Sequence, residues 1–165
     1  MKKLFITFMI FFLLTTVVAC GDAVKEGIDE FKNVFDVKSD VNNYLPQREI
    51  LIKKDIILME TFYIEFMEEE DWDQAYNGLV SLINEYSGFL KEVKSVEVAT
   101  DEVKEVHDEY INATSLTLDS FTVYEKYMVE EREALWVEAE NLMNEAIYAT
   151  ERHDEMLLEV ADEYL

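Results

Sequence analysis

The chain has 165 residues, 37 acidic and 14 basic side chains, one Cys, one Pro and four Gly, with a formal net charge of -23. That length supports one domain. The charge excludes a nucleic-acid binder working through clustered Lys and Arg, and the lone Cys excludes a disulfide framework or a multi-cysteine metal site. So few Gly and Pro exclude a turn-rich β-sandwich or barrel.

The first element is unlike the rest. Lys2 and Lys3 precede Leu4–Leu14, in which Thr7 is the only polar side chain, and no acid occurs before Asp22. A basic start, a short apolar stretch and small residues at its end predict a secretory signal peptide over residues 1–19. Leu4–Ala19 falls short of the roughly 20 residues that span a bilayer, so cleavage is expected in place of retention. The segment closes on Val17-Val18-Ala19-Cys20. This run resembles the lipobox of bacterial lipoproteins, with Val where Leu is commoner at the first position. The resemblance implies that the Cys20 thiol receives a diacylglyceryl group and that cleavage makes Cys20 the first mature residue. It also implies attachment to the membrane through that lipid, on the extracytoplasmic face. Two acyl chains bind a membrane stably where one is marginal. That covalent lipid is the one non-protein group expected, with no other cofactor. The Lys-, Ile-, Glu-, Phe- and Asn-rich composition suggests a low-GC Gram-positive source, and the chain resembles the small helical lipoproteins of such bacteria.

Residues 20–165 are expected to form one acidic domain. Loss of residues 1–19 removes Lys2 and Lys3 and no acid, which takes the net charge to -25. Periodicity predicts an all-α fold, an antiparallel bundle of four to five helices. A first stripe, Val24, Ile28, Phe31, Phe35 and Val41, lies within Asp22–Tyr44 and is expected to end at Pro46, because the residue before proline avoids the helical region. A second helix over Gln47–Glu69 has so wide an apolar face that it is expected to lie centrally. Asp71 and Gln74 read as a capping box opening a third helix. That helix runs through Asn77-Gly78, with Gly78, Ser81 and Gly88 in a sector where a neighbouring backbone could approach. Ser95–Thr100 breaks the pattern, and Thr100 is a suitable N-cap for a fourth helix. No Gly or Pro occurs from Asp101 to Leu165. A single helix there would be about 97 Å long, so a compact bundle requires a turn near Val129–Glu133. The flanking stripes are Val103, His107, Tyr110, Thr114, Phe121, Tyr124, Met128 and then Leu135, Ala139, Leu142, Ala146, His153, Met156, Val160, Tyr164.

Catalytic motifs are missing from this sequence. It has no phosphate-binding glycine loop, no nucleophile elbow and no His-Glu-x-x-His. The Glu-x-x-His of bundle di-iron sites fails at both histidines, which are preceded three residues earlier by Lys104 and Thr150. The acidic runs Glu68–Asp71 and Glu130-Glu131 read as solvated surface, and the five methionines beyond the signal as core filling. The chain is therefore not expected to be an enzyme. Its expected role is protein–protein interaction or accessory work at the membrane surface, with a basic protein or peptide as the partner its charge would attract. The alternative is a small-ligand or metal-binding module built on His107 and His153. In an antiparallel hairpin turning near residue 130, facing residues have numbers totalling about 260, as these two do. The hairpin would bring both imidazoles into one seam, near Tyr110 and Glu109 or Glu155, as metal ligands or as a pH switch.

Overall fold

A computed structural model describes the backbone from Lys2 and the side chains of residues 32–165. The element order is α1 (Lys2–Phe62), a π-helical turn (Tyr63–Met67), α2 (Trp72–Lys94), α3 (Asp101–Glu130) and α4 (Glu133–Tyr164). No strand occurs among the described residues, and the connections between helices are two to six residues long. Short links of this kind set neighbours antiparallel, so the chain is an all-α antiparallel bundle with α3 and α4 as its central hairpin.

Four α-helices occur among the described residues because Pro46 does not end the first. Pro46 lies inside α1, and the expected helices over Asp22–Tyr44 and Gln47–Glu69 are one element as far as Phe62. Proline removes one backbone hydrogen bond and crowds the preceding turn. Here the cost falls on the outer face: Asn42, Asn43, Pro46 and Gln47 are all exposed, so the freed carbonyl meets water. The amides of Asn42 and Gln47 donate to the carbonyls of Lys38 and Asn43 at 2.9 and 3.0 Å. Tyr44 and Leu51 on the inner face are buried and hold the helix against its neighbours. The first stripe is also displaced: Val37 and Val41 are fully buried, whereas Phe35 is 65% exposed. Val24, Ile28 and Phe31 lie outside the described side chains.

The second half of α1 is not central either. Ile50, Ile56 and Ile57, with Ile64 of the π turn, are 53–64% exposed, and only Leu51, Phe62 and, in the π turn, Phe66 are buried over this stretch. After the π turn, where the Glu68 N–H donates to the Tyr63 carbonyl at 2.9 Å, Asp71 caps α2 by accepting from the Gln74 N–H at 3.0 Å. The reciprocal half of the box is taken by Glu69, which accepts from the Asp71 N–H. Gly78 faces this turn closely. A Cβ on it would sit 3.1 Å from the Glu65 Cβ and carbonyl oxygen, while Gly88 faces open space.

The α2–α3 loop is fastened by a residue of α1. Buried Asp40 accepts from the N–H groups of Ala99 and Thr100 and from the Thr100 hydroxyl, at 2.8–2.9 Å. Thr100 is the N-cap residue of α3, but its hydroxyl serves Asp40 and not the helix. The turn expected near Val129–Glu133 is present: Glu131 takes the left-handed conformation at φ 51° and its N–H donates to the Tyr127 carbonyl. Glycine usually occupies such a C-terminal position.

Burial is divided between two clusters. One surrounds Phe62, Phe66, Tyr86, Phe121, Tyr124 and Leu135 near the α3–α4 turn, and the other joins Val37, Val41 and Tyr44 to Val103, Val106 and Leu157. Met128 fills the first core, but Met67 is 42% exposed.

Candidate functional site

Between the clusters lies a polar seam built from α1, α3 and α4. Stripe periodicity turns His107 of α3 and His153 of α4 inward, where they are 3% and 0% exposed. Their seam position follows the hairpin register. Tyr44 of α1 comes between them: its hydroxyl lies 3.3 Å from His107 Nδ1 and 3.4 Å from His153 Nε2. The outer nitrogens are also engaged, His107 Nε2 with the Val93 carbonyl at 3.0 Å and His153 Nδ1 with Asp154 at 2.9 Å. Asp154 in turn pairs with Arg48 of α1. Of the neighbours expected, Tyr110 is present, its ring 5.1 Å from that of His153. Glu109 pairs instead with Arg152, and Glu155 is exposed.

Proton counting defines the chemistry of this chain. A carbonyl and a carboxylate only accept, so His107 carries its proton on Nε2 and His153 on Nδ1. Both imidazoles then face Tyr44 with lone pairs, and the single phenolic proton can serve one at a time. Four contacts share three protons while both rings are neutral. The two contacts to Tyr44 are correspondingly the long ones. A fourth proton would complete the chain, but its charge would be buried. Burial holds His107 below the ordinary imidazole range. Burial, reinforced by the Arg48 cation, does the same for His153. Burial also holds the Tyr44 phenol above its usual range, so the hydroxyl keeps its proton.

All four ring nitrogens thus have protein partners, and a metal on the two histidines would have to displace Tyr44. The described residues contain no group of three or more His, Cys, Asp or Glu side chains placed to hold a metal. Tyr44, Arg48 and Asp154 were missed in the sequence. The signal for the first two was the run Val37, Val41, Tyr44, Arg48, Leu51, Asp55, spaced by threes and fours straight through Pro46.

A cleft of about 550 Å³ opens beside the seam, between α1 and α4. His153, Asp154, Tyr110 and Asp55 line it together with Ile52, Ile56, Met59, Tyr63 and Ile64. Cys20 lies outside the described side chains, and among the described residues no helix is long and apolar enough to cross a membrane.

Comparison with protein families places residues 1–130 on the model of the EMYY-motif containing lipoprotein family. The chain belongs to that family. The match covers the N-terminal segment with its Val17-Val18-Ala19-Cys20 run and all of α1, α2 and α3. The lipoprotein nature expected from that run is therefore the family's own. Tyr44 and His107 fall within the matched span, while His153 on α4 falls beyond it. Comparison with curated proteins and with solved structures gave no significant match.

Proposed function

We propose that this lipoprotein is a non-catalytic binding protein, anchored by a diacylglyceryl group on Cys20 to the outer face of a Gram-positive membrane, where it engages a basic protein. The lipobox-like run supports the anchor and the position of cleavage, with residues 20–165 as the mature domain. The observation that carries the binding role is an exposed apolar row on α1 and its π turn. Ile50, Ile57 and Ile64 recur at seven-residue spacing and are 59%, 61% and 64% exposed. The row is about 21 Å long, which about four turns of a partner helix would cover. Glu60, Glu65, Glu68 and Glu70 lie around its far end. Lys53 and Lys54, beside the near end of the row, are paired with Glu49 and Glu92, so its acidic far end is the part that suits an amphipathic partner of the opposite sign.

Photocrosslinking in the native host, from a photoreactive residue at position 57 of the full-length protein, tests this. The expected product is an adduct to one basic protein that disappears in Ile50→Glu and Ile64→Glu. Adducts to lipid alone, or an adduct indifferent to both changes, would contradict it. The anchor has its own test: Cys20→Ser should lose fatty-acid labelling and processing. A variant still labelled and still cut before position 20 excludes lipidation at Cys20.

A further inference from the structure

We propose that the cleft between α1 and α4 binds an organic ammonium compound with an apolar body, its cationic head held at Asp55 and Tyr110. Three observations combine. The Tyr110 hydroxyl is buried, the residue being 2% exposed, and finds no hydrogen-bond partner among the described residues. An unpaired buried hydroxyl costs free energy that a bound group would return. Tyr110 lines the cleft, so the group that could reach it comes from there.

Asp55 lines the same cleft, half-buried. It accepts from the Tyr86 hydroxyl at 2.7 Å, yet forms no ion pair among the described residues. Burial pushes its carboxyl above the usual range, and both it and Tyr110 line this one cleft. A carboxylate drawn partly out of water without a cation is disfavoured, and a ligand cation would supply the missing partner.

The remaining lining sets the rest of the ligand. The other charged groups in the cleft are the carboxylates Glu60 and Asp154; Arg48 pairs with Asp154 through one terminal nitrogen, keeps a buried Nε without a partner among the described residues, and does not line the cleft. An anionic head would therefore be repelled. Ile52, Met59 and the ring of Tyr63 provide an apolar wall for an aliphatic or aromatic stem. An ammonium has three donors, enough to reach the Asp55 carboxylate and the Tyr110 oxygen at once.

The test uses full-length protein in neutral-lipid nanodiscs with ring-labelled tyrosine, titrated with 4-phenylbutylammonium and, separately, with 5-phenylpentanoate of matching stem and opposite charge. Saturable shifts at the Tyr110 ring are expected with the ammonium and not with the carboxylate. Asp55→Asn should weaken the affinity about tenfold or more. Tyr110→Phe, in which the unpaired hydroxyl is removed, should fold at least as well as the parent and still lose affinity about threefold to tenfold. Equal response to both compounds, no saturable shift at millimolar amine, or affinity unchanged in Asp55→Asn overturns the proposal.

Discussion

The two ends of the bundle bury comparable side chains by different physics. Near the α3–α4 turn, ring packs on ring: Phe62 stacks on Phe121 at 4.6 Å, Tyr86 meets Phe121 edge-on at 5.2 Å, and Tyr124 meets Trp136 at 5.0 Å. Each such pair adds about 0.5–1.5 kcal/mol beyond the area it buries, and Phe62 and Phe121 need no proton placed. At the other end Tyr44, His107 and His153 are just as buried but hold one another through hydrogen bonds whose protons must be assigned. The aromatic end depends on shape and ring geometry and on no proton. The polar seam is directional, tying α1 to the hairpin through Tyr44 and the two imidazoles.

The largest expected effect comes from breaking the aromatic end. Phe62 touches Phe66, Phe121 and Tyr124, and Phe62→Ala should cost about 3–5 kcal/mol in chemical unfolding. A loss below 1 kcal/mol would mean that the ring cluster collapses to fill the space. Tyr44→Phe is the matching cut at the seam. It keeps the ring, deletes the shared hydroxyl and leaves two buried lone-pair nitrogens unserved, for an expected loss of about 1–3 kcal/mol. A neutral result would show that the hydroxyl holds neither histidine.

The fold was legible in the sequence wherever apolar spacing alone decides it. The stripes of α3 and α4, the Asp71 cap and the hairpin turn could all be read, and the facing of His107 and His153 followed from the turn by register. Pro46 misled because local stereochemistry argues for a break, whereas the outcome was set by which face carries the proline. The missed half of the seam is polar. Arg48 and Asp55 continue the inner stripe of α1, but hydrophobic periodicity registers charged side chains as outward. The exposed isoleucine row shows the converse, since apolar spacing marks a face without saying whether anything covers it.

A change of pH should separate the two ends. Both histidines titrate below the unfolded value of 6.5 because burial penalises their charged forms. The unfolded chain therefore takes up protons first as pH falls. Stability from the neutral rings is complete above pH 6.5 and declines below it, toward the lower folded values. Asp55 acts in the opposite sense, because its raised folded pKa favours the folded state as pH falls. The measurable quantity is thus a difference: His107→Gln should flatten the decline between pH 7 and 5.5 relative to the parent, while Phe62→Ala should leave that slope unaltered. The same slope in all three proteins would remove the histidines from the account. The smallest effect is expected at the turn. Glu131→Gly relieves a left-handed non-glycine residue and should raise stability by about 1 kcal/mol without moving any seam resonance. A loss of stability would show that the Glu131 side chain contributes more than its backbone costs.

A shared-proton chain runs from the Val93 carbonyl through His107, Tyr44 and His153 to Asp154. Nitrogen-15 NMR of the imidazole rings in the full-length protein at pH 7.5 tests it most directly. Two neutral, slowly exchanging histidines are predicted, His107 protonated on Nε2 and His153 on Nδ1, with the facing His107 Nδ1 and His153 Nε2 signals both changed in Tyr44→Phe. The reverse tautomers, or two rings averaging like free imidazole and indifferent to Tyr44→Phe, would contradict it.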